Sequence, residues 1–135
     1  MKYLIYNFFI FKCLDENGEK IITADRPYLL LDIRPTEQYE AGHIVSARSY
    51  PHVRITRAVN FETKEMLAYK NNKTKIIVVY DYDEAIAAKF ATTMMERGYD
   101  NIFMLSGGLR VAYIKFPERL VTKGAIENME GDEAN

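Results

Sequence analysis

A chain of 135 residues, 48% apolar and 27% charged, has the length for one domain around a single core. Its formal net charge of −1 argues against a nucleic-acid partner, because no basic excess exists to neutralise phosphates, and the 18 basic residues form no run that suits a lipid surface. The one cysteine, Cys13, excludes an intramolecular disulfide and accords with a reducing, intracellular compartment.

The opening MKYLIYNFFIF is apolar from Tyr3 to Phe11. No small-residue cleavage site follows, and a run this short, interrupted by Asn7, cannot span a bilayer, so it reads as a buried or edge strand. Asn17-Gly18 tips a turn, so Tyr3–Leu14 and Ile21–Thr23 form a hairpin or two separate extended pieces. Residues 1–22 are expected to pack on a domain spanning 23–122, and 123–135 form an acidic, solvated tail whose last nine residues hold four acids and no base.

Tyr28 to Ile33 is a continuous apolar run, the mark of a strand buried on both faces. Pro35 and Thr36 start a short helix through Tyr39 that Gly42 ends. Val45 to Tyr50 reads as a strand stopped by Pro51. Asn60 reads as the N-cap of an amphipathic helix carrying Phe61, Met66, Leu67 and Tyr69. Ile76 to Tyr80 is the most strand-like run. Ile86, Phe90 and Met94 follow at four-residue spacing, with Ala87, Ala88 and Ala91 allowing close packing on a sheet, until Gly98. Asn101 to Leu105 is a strand, and Gly107-Gly108 leads into a helix from Leu109 to about Lys115, before Pro117. The 10 tyrosines and 7 phenylalanines read chiefly as core. Strands alternating with helices mean an α/β fold: a central, mostly parallel sheet with helices on both faces. Ligands in such folds sit where strand carboxyl ends meet helix N-termini, and Asp81-Tyr82-Asp83-Glu84 lies at such a point.

Three segments together resemble the rhodanese homology domain. In LLLDIRPTEQYEAGHIVSARSYP, Asp32, Arg34, Tyr39, Gly42, His43, Ile44, Ala47 and Pro51 fall on the family pattern, with Ser46 in place of a glycine. IIVVYDYDEAIAAKF stands where the family has a strand and a six-residue Cys-x-x-Gly-x-Arg loop around an anion. ERGYDNIFMLSGGL is similar to the family's helix end, strand and Gly107-Gly108 pair, and the interval from position 81 to Gly98 is the family's own. The resemblance implies a rhodanese-like fold.

An active loop of this family carries sulfur on a thiolate, with backbone N–H groups, the helix dipole and an arginine holding the anion. Here Asp81 stands at the cysteine position, and a carboxylate cannot carry a persulfide. Glu84 replaces the glycine and Ile86 the arginine, while Tyr82, Asp83 and Ala85 complete the loop. The resemblance therefore implies a degenerate sulfurtransferase with no cofactor, its donor-lined cradle filled by its own carboxylates, with Asp81 or Asp83 capping the next helix. Cys13 lies in no context that lowers a thiol pKa and reads as structural. TTMMERGYDNIFMLSGGLRVAYIKFPERLVT further resembles a centrosomal and ciliary subgroup with an acidic loop, implicated in delivering a tubulin-polyglutamylating enzyme to cilia. That likeness implies a protein-interaction domain at the cytoskeleton, centrosome or cilium, its partner a tubulin-glutamylating enzyme or a basic segment, with no membrane or nucleic acid.

An enzymatic alternative remains: residual thiosulfate sulfurtransfer, or a haloacid-dehalogenase-type phosphatase with Asp81 as nucleophile, Asp83 as acid/base and Mg²⁺. In that family Gly or Thr follows near the turn, whereas Glu84-Ala85 follows here, and Gly131 to Asn135 echoes its last acidic motif without a preceding strand. Asp32 and Arg34 read as an ion pair or loop anchor rather than a catalytic acid and anion clamp. His43 reads as a hydrogen-bonded turn residue, and His52 with His43 and one remote cysteine makes no zinc site. Arg97 and Lys115 read as surface charges.

Overall fold

A computed structural model describes residues 2–4, 27–57 and 59–115. Five strands form one sheet: β1 (Lys2–Leu4), β2 (Tyr28–Asp32), β3 (Arg48–Ser49), β4 (Ile76–Tyr80) and β5 (Ile102–Leu105). Their order is β1-β5-β4-β2-β3 and every pairing is parallel. The helices are α1 (Thr36–Ala41), α2 (Lys64–Tyr69), α3 (Ala85–Glu96) and α4 (Gly108–Lys115), with a 3-10 turn, η1 (His52–Thr56), after β3. The sequence expectations for residues 5–26 and 116–135, including the hairpin, Cys13 and the acidic tail, lie outside the described residues.

The two central strands explain themselves. Leu29–Leu31 and Ile77–Tyr80 are buried on both faces, as continuous apolar strands in a covered parallel sheet must be. Alternation along them divides the core. Leu30, Val78 and Tyr80 pack on one face with Ile44, Leu109 and Ala112, under α1 and α4. Leu29, Leu31, Ile77 and Val79 pack on the other with Met66, Ala87, Phe90, Ala91 and Met94, under α2 and α3. Each fully buried aliphatic or aromatic side chain contributes about 1.5–3 kcal/mol. β2 and β4 are neighbours, yet the chain visits β3 on the far side of β2 between them, so the sheet's direction of growth reverses here. The loop after β4 therefore leaves the sheet at its topological switch point.

Several elements differ from the sequence expectation. The strand foreseen over 45–50 shrinks to Arg48–Ser49, because Ile44 to Ala47 closes a turn (Ala47 N–H to Ile44 carbonyl, 3.0 Å) with Ser46 at φ 77°. The helix foreseen from Asn60 starts later: Thr63 is its N-cap, its Oγ1 accepting from Met66 N–H at 3.1 Å, while Asn60 sits in left-handed backbone at φ 60°. Phe61 and Glu62 belong instead to a loop fastened by side chains. Tyr50 donates to the Phe61 carbonyl, Tyr99 donates to Glu62, and Lys70 pairs with Glu62 at 3.5 Å. Arg97 is no ordinary surface charge, since its guanidinium lies 4.6 Å over the Phe61 ring. Ile86 does not face the sheet; it is 39% exposed, and Ala87, Phe90, Ala91 and Met94 form the buried side of α3. Below the sheet, Asn101 bonds the carbonyls of Tyr69 and Lys75 and accepts from Asn71 N–H, which clasps the two turns entering β4 and β5. Among the described residues no helix is long and apolar enough to cross a membrane.

Ser46 combines two costs: a left-handed backbone, disfavoured by about 1–2 kcal/mol outside glycine, and a buried hydroxyl with no hydrogen-bond partner among the described residues. Ser46→Gly is expected to stabilise the fold by about 1 kcal/mol, the relief exceeding glycine's roughly 0.5–1 kcal/mol entropic cost. Thermal unfolding checks it, with Tm rising about 2–4 °C.

Candidate functional site

β4 delivers the chain to the loop Asp81–Glu84, and α3 begins at Ala85. The Asp81 carboxylate, 8% exposed, turns back on the loop and accepts from Tyr82 N–H at 2.6 Å. Asp83 Oδ1 accepts from Ala85 N–H, the first N–H of α3, at 2.9 Å. The Glu84 side chain makes no cap bond. Two backbone donors of the loop are thus held by the loop's own carboxylates, placed at the positive end of a 12-residue helix. Tyr82 projects outward at 43% exposure beside the exposed Asp83 and Ala85.

The carbonyl side of the loop is held by a second helix. Leu109 N–H donates to the Asp81 carbonyl and Arg110 N–H to the Tyr82 carbonyl, both at 2.9 Å, so these first-turn N–H groups of α4 find partners in the loop. Contact is so close that a Cβ on Gly108, at φ 61°, would lie 2.3 Å from the Asp83 carbonyl oxygen and 2.5 Å from that of Asp81. Gly107, at φ 78°, is as tightly constrained, its Cβ position lying 2.2 Å from Val111 Cγ2. Two helix N-termini therefore converge on the acidic loop.

Behind it, Asp32 and Arg34 form a buried pair. Arg34 donates to Asp32 through its backbone N–H (3.0 Å), Nε (3.0 Å) and Nη2 (2.8 Å), and Nη2 also reaches the Gly42 carbonyl at 2.6 Å. Asp32 is 0% and Arg34 7% exposed, so the guanidinium is committed inward as an anchor. Tyr80 stands opposite Asp32 in the sheet register; its hydroxyl donates to Asp32 Oδ2 at 2.7 Å and accepts from Ile44 N–H at 3.0 Å. His43 stacks on Tyr39, centroids 3.9 Å apart, and Nδ1 donates to the Tyr39 carbonyl at 2.8 Å. The structure thus joins Asp32, Arg34 and Gly42 in one knot beside β2, holds His43 on Tyr39 next to Gly42, and sets Gly108 against the loop carbonyls while Gly107 packs on Val111. Sequence reasoning missed Tyr80, whose signal was a hydroxyl at the carboxyl end of an otherwise apolar strand. Asp81 and Asp83 each hold a backbone N–H, and among the described residues no three His, Cys, Asp or Glu side chains assemble as a metal site.

Burial, then the neighbouring Asp32 charge, pushes the Tyr80 phenol well above its ordinary value of 10.0. A phenol whose folded pKa is raised supports folding fully below its unfolded value, and that support is lost as pH climbs past it toward the folded value. Stability is therefore expected to fall above about pH 10, more gently in Tyr80→Phe. At neutral pH the same substitution, leaving Ile44 N–H unpaired and Asp32 short of one donor, should cost about 1–3 kcal/mol in urea unfolding.

Comparison with known proteins shows the same fold. Solved structures of the same fold include Saccharomyces cerevisiae Ygr203w, described as a homologue of single-domain rhodanese and the Cdc25 phosphatase catalytic domain, at TM-score 0.70 and 17% identity over 95% of this chain and 90% of that one. The centrosomal protein of 41 kDa from Danio rerio is 52% identical over 123 residues, covering 81% of this chain and 33% of that protein. Its Gallus gallus counterpart is 53% identical over 111 residues, covering 82% and 30%. The chain thus spans about a third of the length of the curated relatives it matches. The profile of the rhodanese-like domain matches residues 16–112, most of the chain: the chain belongs to the rhodanese-like domain family.

Proposed function

We propose that this chain is a non-catalytic rhodanese-like domain of a centrosomal protein, used for protein recognition in support of tubulin polyglutamylation at the cilium. The single observation that carries the reading is the Asp81 carboxylate accepting from the loop's own Tyr82 N–H, at the position where the resemblance expects the family's sulfur-bearing cysteine. With Asp83 on Ala85 N–H and Ile86 where an arginine would stand, the loop offers an external anion neither a nucleophile nor those two donors. Basic surfaces are the favoured partners locally, since Asp83 lies exposed beside Tyr82 and Glu84 adds a second negative charge. The names of the centrosomal relatives support the setting.

Asp81→Cys tests the catalytic half. Supplied with thiosulfate and cyanide, the wild-type chain is expected to form no thiocyanate above buffer. The single variant is expected to stay silent too, because Glu84 and Ile86 still lack the glycine's openness and the arginine's charge. Turnover by the wild-type chain overturns the non-catalytic reading, and robust turnover by Asp81→Cys shows that positions 84 and 86 do not limit the loop. For the recognition half, ciliated cells expressing Asp81→Asn/Asp83→Asn/Glu84→Gln as the sole copy of the full-length protein should lose axonemal polyglutamate staining. Unchanged staining with a folded variant rejects the loop as the recognition element.

A further inference from the structure

Around the phenol of Tyr50 the fold sets three arginines, none of which meets a carboxylate among the described residues. Tyr50 donates to the Phe61 carbonyl, which ties β3's exit to the loop before α2. The Arg97 guanidinium lies 4.6 Å over the Phe61 ring, and that of Arg54 lies 5.2 Å over the Tyr50 ring. Arg57 is exposed at the end of η1, its N–H donating to the Arg54 carbonyl at 3.2 Å. Burial raises the Tyr50 phenol above its ordinary value of 10.0, and Arg54, Arg97 and Arg57 each oppose that rise. All three charges therefore bear on one hydroxyl.

The ion pairs among the described residues are Arg34–Asp32, Arg48–Glu65 and Lys70–Glu62. Glu62, which also acts on the Tyr50 phenol, is taken by Tyr99 and Lys70. Arg54 Nη2 reaches a backbone carbonyl, that of Asn60, at 3.4 Å. Arg97 Nη1 is buried with no hydrogen-bond partner among the described residues. A guanidinium stacked on a ring is held by its face, which leaves its edge donors for a planar acceptor. We propose that Arg97, Arg54 and Arg57 form a docking surface for an acidic peptide segment, whose carboxylates take those edges.

Chemistry narrows the occupant. Carboxylates match the guanidinium fork two oxygens at a time. The charges are spread along Phe61 and Tyr50 rather than gathered at one atom, which suits several carboxylates on one extended segment. Every second side chain of such a segment faces the same way. Single-stranded nucleic acid would need open rings for its bases, but Tyr50 is 1% exposed and Phe61 already carries Arg97. A chain of net charge −1 has little to hold a broad anionic bilayer, whereas a short segment meets only the local basic excess. Val53 and Val59, 60% and 71% exposed, bracket Arg54 and Arg57 in the chain and add apolar contact. The inference is independent of the acidic loop, because that loop attracts bases and this surface acids.

Fluorescence anisotropy of a dye-tagged oligoglutamate peptide, titrated with the full chain, tests it. Saturable binding that weakens as salt rises is expected, with none for oligoglutamine of the same length. Arg57→Glu, a change at an exposed side chain, should weaken binding at least about fivefold, and Arg54→Glu/Arg57→Glu at least about tenfold. Arg97→Lys, which keeps the charge and loses the fork, should weaken it about threefold. Circular dichroism guards against unfolding, and Arg57→Glu keeps the test open if the half-buried Arg97 tolerates no change. Absence of binding overturns the proposal, as does binding indifferent to Arg57→Glu and to the double variant. Phosphatidylserine vesicles that capture the chain through the same arginines more tightly than the peptide does also overturn it. So does a shift of the Arg54 and Arg57 resonances in the peptide-free chain on Glu127→Gln, Glu130→Gln, Asp132→Asn and Glu133→Gln together, for then the chain's own acidic segment takes the surface.

Discussion

Asp32 is a carboxylate with no exposed surface, at the end of a central strand. Removing such a group from water costs several kcal/mol unless hydrogen bonds replace its hydration. The replacement comes from three donors of Arg34 and the hydroxyl of Tyr80, drawn from the segment after β2 and from β4. Arg34 passes the constraint to Gly42, and Tyr80 passes it to Ile44, so the chain between α1 and β3 is fixed by the same knot. Loss of any member leaves a polar group stranded in the interior, which makes the knot a strong specifier of local geometry.

From that platform β4 projects the acidic loop, whose shape is set mainly by backbone. The carbonyls of Asp81 and Tyr82 receive the first-turn N–H groups of α4, and those bonds do not depend on what side chains the loop carries. A loop held in this way can change its side chains and keep its course. The carboxylates then find donors already present, at helix N-termini where negative charge is favoured by roughly 0.3–1 kcal/mol each.

Much of this was legible in the residues. Continuous apolar runs marked β2 and β4, because strands covered on both faces leave no room for alternation. What misled was periodicity read without geometry. Phe61 continues an apolar pattern with Met66 and Tyr69, but the chain at Asn60 is left-handed, and tertiary contacts from Tyr50 and Tyr99 hold the loop instead of helical bonds. Ile86 shares a four-residue spacing with Phe90 and Met94, yet near a helix start this spacing alone does not fix which positions the sheet covers. The Asp32–Tyr80 bond joins residues 48 apart in the chain, and no local pattern encodes it.

The near-contact of Gly108 with the carbonyls above it has a practical reach. Because the loop's backbone is keyed to α4 at two successive N–H groups, its length and path are locked while its side chains remain free to vary. The domain thus offers a fixed frame for the side chains of this span. New side chains could be displayed between β4 and α3 without rebuilding the sheet, provided the span keeps its residue count and position 108 stays bare.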